Sequence, residues 1–295
     1  MSPSFDWSQA DHIITLFRQA SGILLGTQGR TGCRVDLPHN GVLTISGDPH
    51  DHLPNFNRIV AAAKLHQENH HLLLQELILG PILVHGCDMS WRMLARVAEL
   101  LLDFPSRVHP ILGNHENSQL TRVGVTKGGG NSVELFEDGL SLTFGDDWER
   151  VYDAIDQFLL AMPLAVRTPS GVQCTHSLPD AVLMGRFDPT VIDRELTKED
   201  RIGPNGGAYL TTWGRRFTDE QLTTLMEVWP VKQFIIGHVK IDGGVRRVNN
   251  SVVALASDLD NGMLVRITLD ECPTADELVS RATPIQVLPF DGDMM

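Results

Sequence analysis

The sequence predicts an α/β fold, and three observations predict it. Short apolar runs of strand length alternate with segments of helical apolar spacing through the N-terminal half. The C-terminal end is rich in strands. Several of the apolar runs end directly in Asp, Asn or His, as strands do where an α/β sheet presents a ligand-binding rim.

The elements follow in order. "DHIITLFRQASGILL" is amphipathic and predicts an N-terminal helix, followed by a turn-rich stretch and the short strand "GVLTISG". "LPNFNRIVAAAKLHQENHHLLLQELILG" has helical spacing throughout. "PILVHG" predicts a strand, "MLARVAELLLDF" a helix and "VHPILG" a strand. Residues 117–140, with "KGGGNS" inside, predict a loop suited to a mobile insert. "DDWERVYDAIDQFLLAM" and "TDEQLTTLMEVW" predict helices on either side of the strand "GVQCTH". "QFIIGH", "SVVALAS", "GMLVRIT" and "TPIQVL" complete the strands. No composition break divides the 295 residues, so one domain is expected over 1–295. Its core spans about 10–270, with the N-terminal helix and an acidic C-terminal tail, "LPFDGDMM", appended and the tail expected to be disordered.

Composition narrows the function classes. Apolar residues make up 42% and charged residues 21%, as in a soluble globular protein. A net charge of -13 argues against non-specific binding to nucleic acid or anionic membranes, which reward a basic surface. It leaves a phosphorylated substrate open, because a few arginines or metal ions invert the field within one site. "MSPSFDWSQADH" has neither a basic n-region nor an apolar h-region, and no apolar run approaches the roughly 20 residues of a membrane span. Cys33, Cys87, Cys174 and Cys272 are scattered without a CxxC pair, which predicts buried free thiols in a reducing compartment and a cytoplasmic location.

Chemistry is concentrated at the strand ends. "VLTISG" runs into Asp48-Pro-His50, "PILVHGC" into Asp88, and "VHPILG" into Asn114-His115-Glu116. "GVQCT" runs into His176 and "QFIIG" into His238. Each has an ordinary explanation alone, since Asp and Asn favour turns and a lone His is usually satisfied structurally. Five strand ends carrying only nitrogen and oxygen donors are harder to explain that way. Imidazole with carboxylate suits Mn, Fe or Zn, and the donors exceed what one tetrahedral ion requires. Two ions about 3.5–4 Å apart would use them all.

The blocks "GDPHD", "HGCDMSWR", "GNHE", "CTHSLPD" and "IIGHVK" resemble, in order, those of the calcineurin-like metallophosphoesterases. Within that superfamily the likeness is to the phosphoprotein (Ser/Thr) phosphatase branch, bacterial type. That family carries G-D-x-H-G, then G-D-x-V-D-R-G, then G-N-H-E, then two separated histidines. "AMPLAVRTPSGVQCTHSLPD" also resembles the family's stretch ahead of its first late histidine, and "GNHE" is the most specific block. The resemblance implies a four-layer β-sandwich of two mixed sheets flanked by helices.

It also implies roles. Asp48 and His50 would bind the first metal, Asp88 would bridge both, and Asn114, His176 and His238 would bind the second. His115 would be the general acid, and Arg92 would grip the phosphoryl oxygens with a guanidinium that matches their geometry. A second arginine is expected in "TTWGRRF", where Arg215 is preferred over Arg216. The implied cofactors are two divalent ions, manganese first and iron or zinc as alternatives. The implied reaction is phosphomonoester hydrolysis, with hydroxide formed between the ions attacking phosphorus in line. Phosphoserine or phosphothreonine in protein is the first substrate class. A small phosphorylated metabolite or dinucleotide is the alternative, and a metal-stabilised binding protein without turnover is the rival from another class.

Three departures from the family pattern stand out. Asp51 replaces the last Gly of the first block, and Cys87-Asp88 replaces Gly-Asp in the second. Trp91 stands where the family has the Asp that orients the general acid, and an indole N–H cannot replace that acceptor. "HQENHH", with His66, Glu68, His70 and His71, lacks the Glu directly after its first His that a zinc-protease helix needs, and reads as a solvated helix face. His85 and His109 read as structural, and "VTKGGGNS" has its Lys before the glycines, unlike a P-loop.

Overall fold

A computed structural model describes residues 5–127 and 130–289. The elements are α1 (Ala10–Leu25), β1 (Arg30–Thr31), β2 (Arg34–Asp36), β3 (Val42–Ser46), α2 (Leu53–Ala63), β4 (His70–Leu74), α3 (Trp91–Asp103) and β5 (Val108–Pro110). There follow α4 (Asn114–Thr121), β6 (Thr126–Lys127), β7 (Gly130–Asn131), α5 (Ser132–Phe144), α6 (Trp148–Ala161), β8 (Ala165–Arg167) and β9 (Val172–Thr175). The chain ends with α7 (Gly207–Trp213), α8 (Asp219–Val228), β10 (Gln233–Ile236), β11 (Val245–Arg247), β12 (Val252–Leu255), β13 (Met263–Thr268), α9 (Ala275–Arg281) and β14 (Thr283–Pro284).

The strands form two mixed sheets. One has the order β1-β2-β8-β9-β10-β12-β11, the other β14-β13-β3-β4-β5, and β6 and β7 make a separate hairpin. Their faces meet over Leu43, Ile45, Leu73, Val166, Cys174, Ile235, Val253, Val265 and Ile267. The opposite faces, through residues such as Leu72, Leu74, Phe234 and Ile236, pack under helices. Side chains alternate across each strand, so a strand covered on both faces is apolar throughout. This gives an α/β fold of two mixed sheets flanked by helices. Helix α1 belongs to the outer layer rather than standing apart from it: Ile13, Leu16, Phe17 and Ala20 are fully buried, and the Phe17 ring lies 5.3 Å from Phe158.

Several expectations need correction. The long helix expected from residue 53 stops at Lys64, whose left-handed backbone (φ 51°) ends α2, and His70–Leu74 is a strand. The supposed solvated face of "HQENHH" therefore includes the buried His71, which is stacked 5.3 Å from the buried His109. "PILVHG" is not a strand. It is an exposed turn, closed by a bridge between Val84 and Cys87, with Ile82 74% exposed. The loop expected over 117–140 holds the end of α4, the β6–β7 hairpin and most of α5, with residues 128 and 129 outside the described residues. Residues 290–295 of the tail lie outside them too. The four cysteines are free, with Cys33 and Cys174 buried but Cys87 and Cys272 only partly so. Among the described residues, no helix is long and apolar enough to cross a membrane.

Candidate metal centre

Parallel pairing aligns β3, β4 and β5 in one sheet and β9 and β10 in the other, so the carboxyl ends of each set share a rim. Asp48 follows β3, Glu76 follows β4, Asn114 opens the helix after β5, His176 follows β9 and His238 follows β10. Asp48, His50 and Glu76 form one cluster of donor atoms, and Glu76, His176 and His238 form another, each with its atoms within 4.8 Å of one another. Glu76 belongs to both.

The distances show how Glu76 stands between them. Its Oε2 lies 3.4 Å from His50 Nε2, and its Oε1 lies 3.6 Å from His176 Nε2. Oε1 also accepts the His115 backbone N–H at 2.9 Å. Asn114 Oδ1 lies 2.8 Å from His176 Nε2 and 2.7 Å from His238 Nδ1, so a carbonyl oxygen and two imidazole nitrogens converge. Asp48 Oδ2 accepts the His238 N–H at 2.7 Å, while Oδ1 lies 3.5 Å from His176 Nδ1. His50 Nδ1 sits 3.0 Å from the Ile78 carbonyl, a contact that fixes the orientation of the ring and leaves Nε2 facing Glu76.

Second contacts hold the donors in place. The buried Glu116 accepts from the Leu77 and Ile78 amides at 2.7 and 3.2 Å and from Gly113 at 3.2 Å, pinning the turn after Glu76 against the start of α4. A Cβ at Gly237 would collide with Asp48 Oδ1, so only glycine lets the β10 turn approach that carboxylate. Backbone strain gathers here as well. His50, Asp51, Glu76, Leu79 and His238 all have φ between 24° and 63°, a region costly for residues with a Cβ.

The donor set fits divalent metal ions. Asp48 Oδ1 and His176 Nδ1 are buried and have no hydrogen-bond partner among the described residues. Burial pushes the Asp48 carboxyl well up, against the His238 amide that favours its anion, and a nearby cation would offset that cost. Burial also pushes the His176 imidazole well down, helped by the neighbouring His238, and the His238 imidazole down to about 3, helped by Arg215. Both rings are held neutral, the form that binds metal.

The remaining site residues lie as follows. His115 is partly exposed at the start of α4, its ring 5.7 Å from that of His50 and 6.4 Å from Trp213. Arg215 and Arg216 are both exposed, and of the two Arg215 donates from Nε to His238 Nε2 at 2.9 Å. Arg92 is exposed, its guanidinium 5.6 Å from the Trp91 ring centre, and its charge reaches the carboxyl of Asp51.

Asp88 does not follow a strand end, and it belongs to neither donor cluster. It is buried at the approach to α3, where its Oδ1 accepts the Ser90 amide at 2.8 Å. It also raises the Asp51 carboxyl, which burial chiefly pushes up to about 7. Trp91 is a core residue, packed 5.0 Å from Phe144 and 6.3 Å from Trp7, and so does not occupy the place of an acid beside His115. The residue missed from sequence was Glu76. Its signal was the carboxylate two positions after "HHLLL", the same offset as Asp48 after "VLTIS".

No protein-family model matches the chain, and no curated protein matches it. Solved structures do. A Saccharomyces cerevisiae protein serine/threonine phosphatase with similarity to human phosphatase PP5 superposes with a TM-score of 0.62 at 12% identity, over 88% of this chain and 82% of that one. A cold-active protein-tyrosine phosphatase of a psychrophilic Shewanella superposes with a TM-score of 0.56 at 15% identity, over 86% and 84%. At such identities the likeness is one of fold: the chain shares the two-sheet α/β architecture of these phosphatases.

Proposed function

We propose that the protein is a metal-dependent phosphoesterase that hydrolyses phosphomonoesters, with phosphorylated protein as its substrate class. The observation that carries this is Glu76, a single carboxylate shared by two donor clusters. Asp48, His50 and Glu76 would hold one divalent ion, and Glu76, Asn114, His176 and His238 the other, with manganese expected first. Such ions supply a water acidic enough to serve as nucleophile at neutral pH and charge to offset that on the phosphoryl group. Both solved neighbours bear the names of protein phosphatases, which supports the substrate class.

The chain's own residues supply the rest. Arg215, beside His238, binds the phosphoryl oxygens. His115, held by its backbone to Glu76, protonates the departing oxygen. With Glu76 as the shared ligand, the G-D-x-V-D-R-G block falls on "QELILGP", where Leu79 stands for the acid that orients the histidine and Gly80 for the arginine. With a leucine standing for the family's acid, substrates with good leaving groups should be favoured.

The test is hydrolysis of an aryl phosphate with added Mn²⁺. Activity should appear with the metal, vanish with a chelator, and exceed that on an alkyl phosphate. His115→Ala should lower kcat more for the alkyl than for the aryl phosphate, by up to about 10²–10⁴-fold, while the metal content stays the same. No activity with Mn²⁺, Fe²⁺ or Zn²⁺ would refute the enzyme, and metal loss in His115→Ala would refute the role of His115.

A further inference from the structure

We propose that Asp180 is a positioning residue that fixes the backbone from which Arg215 reaches the candidate metal centre; the proposal rests on the phosphoesterase reading for what the Arg215 guanidinium binds. Asp180 Oδ1 accepts the backbone N–H of Arg215 at 2.6 Å and of Arg216 at 2.7 Å. Two consecutive amides on one carboxylate oxygen fix the peptide between them, through hydrogen bonds strengthened by the charge.

The same two stretches are joined at further points. The Ser177 amide donates to the Thr211 carbonyl at 2.9 Å, the Ser177 hydroxyl to the Gly214 carbonyl, and the Ala181 amide to the Arg216 carbonyl at 3.0 Å. A Cβ at Gly214 would run into the Leu178 carbonyl, so glycine is what permits this approach. Residues 177–181 and 211–216 thus form a clasp. One stretch directly follows His176, and the other carries Arg215, which donates to His238. An exposed arginine on a free loop would lose rotamer and backbone freedom each time it met a substrate. Asp180 removes the backbone part of that loss in advance, by anchoring the arginine's own amide.

The full-length, Mn²⁺-loaded protein provides the test. Inorganic phosphate binding is measured by calorimetry, and exchange of the Arg215 and Arg216 amides by NMR on the diamagnetic Zn²⁺-loaded form, in wild type, Asp180→Ala, Asp180→Asn, Arg215→Ala and the Asp180→Ala/Arg215→Ala double variant. Asp180→Ala should weaken phosphate binding about tenfold, and the double variant should be no worse than Arg215→Ala. Asp180→Asn, which keeps an acceptor but loses the charge, should fall between wild type and Asp180→Ala; it carries the test if the alanine variant does not fold. Both amides should exchange faster in the Asp180 variants than in wild type, with metal content unchanged. Wild-type phosphate affinity in the Asp180 variants, or additive losses in the double variant, would overturn the proposal. If the wild type binds no phosphate, the phosphoesterase reading fails instead. Amide exchange then decides the clasp alone, and unchanged exchange in the Asp180 variants overturns it.

Discussion

Glu76 reaches one methylene further than an aspartate, and its neighbours make room for that reach. A Cβ at Gly113 would lie 3.0 Å from both the Cβ and the Oε1 of Glu76, so the glycine ahead of Asn114 leaves space for the longer side chain. Glu116 then fixes the two residues that follow it. The same economy of space operates at Gly237, where the β10 turn passes directly against Asp48 Oδ1. Gly237→Ala should push Asp48 out of line. We expect metal affinity to fall about 10–100-fold, the range seen when the supports of a ligand are disturbed, with far-UV circular dichroism unchanged. Metal titration by calorimetry checks this, and wild-type affinity would show that Asp48 does not need its present position.

At the scale of elements, most of the rim was legible because the strands before Asp48, Asn114, His176 and His238 are short apolar runs that end close to a glycine or a turn. Strand β4 was not. Buried on both faces, "HHLLL" has lost the alternation that marks a strand, and it joins without a break to apolar residues at helical spacing. That hid Glu76, while the apolar turn "PILV" imitated a strand in front of Asp88. The spacing from Asp88 to Arg92 then matched the family block although Asp88 performs an ordinary task, accepting the Ser90 amide ahead of α3. The contacts of Asp180 were illegible for a different reason. They join stretches some 35 residues apart through irregular backbone, which leaves no periodic trace.

For the molecule as a whole, the two-sheet arrangement puts the candidate metal site at the carboxyl ends of the strands and a buried histidine pair near the start of β4. His71 Nδ1 lies 3.1 Å from His109 Nε2. Burial, with the charge of Arg107, pushes His71 down to about 4, and burial, with His71, pushes His109 down to about 3. Both are lower than in the unfolded chain, where histidine titrates near 6.5. As pH falls below about 6.5 the unfolded chain takes up protons that the folded pair refuses, so their contribution to stability is complete above that pH and declines towards about pH 3. His176 and His238 act with the same sign in metal-free protein, and comparison of variants separates the two sets. The urea midpoint of wild type should fall more steeply between pH 6.5 and 5 than that of a His71→Leu/His109→Leu variant. Parallel slopes would show that the pair does not titrate as its burial requires.

Metal stoichiometry decides whether Glu76 is the ligand shared by two ions. After loading with Mn²⁺ and removal of free metal, bound ions are counted in wild type, Glu76→Gln and Asp88→Asn, beside aryl phosphate hydrolysis by each. We predict two ions and turnover in wild type and in Asp88→Asn, and fewer than two ions with no turnover in Glu76→Gln. Two retained ions with full activity in Glu76→Gln, together with metal loss in Asp88→Asn, would contradict the account.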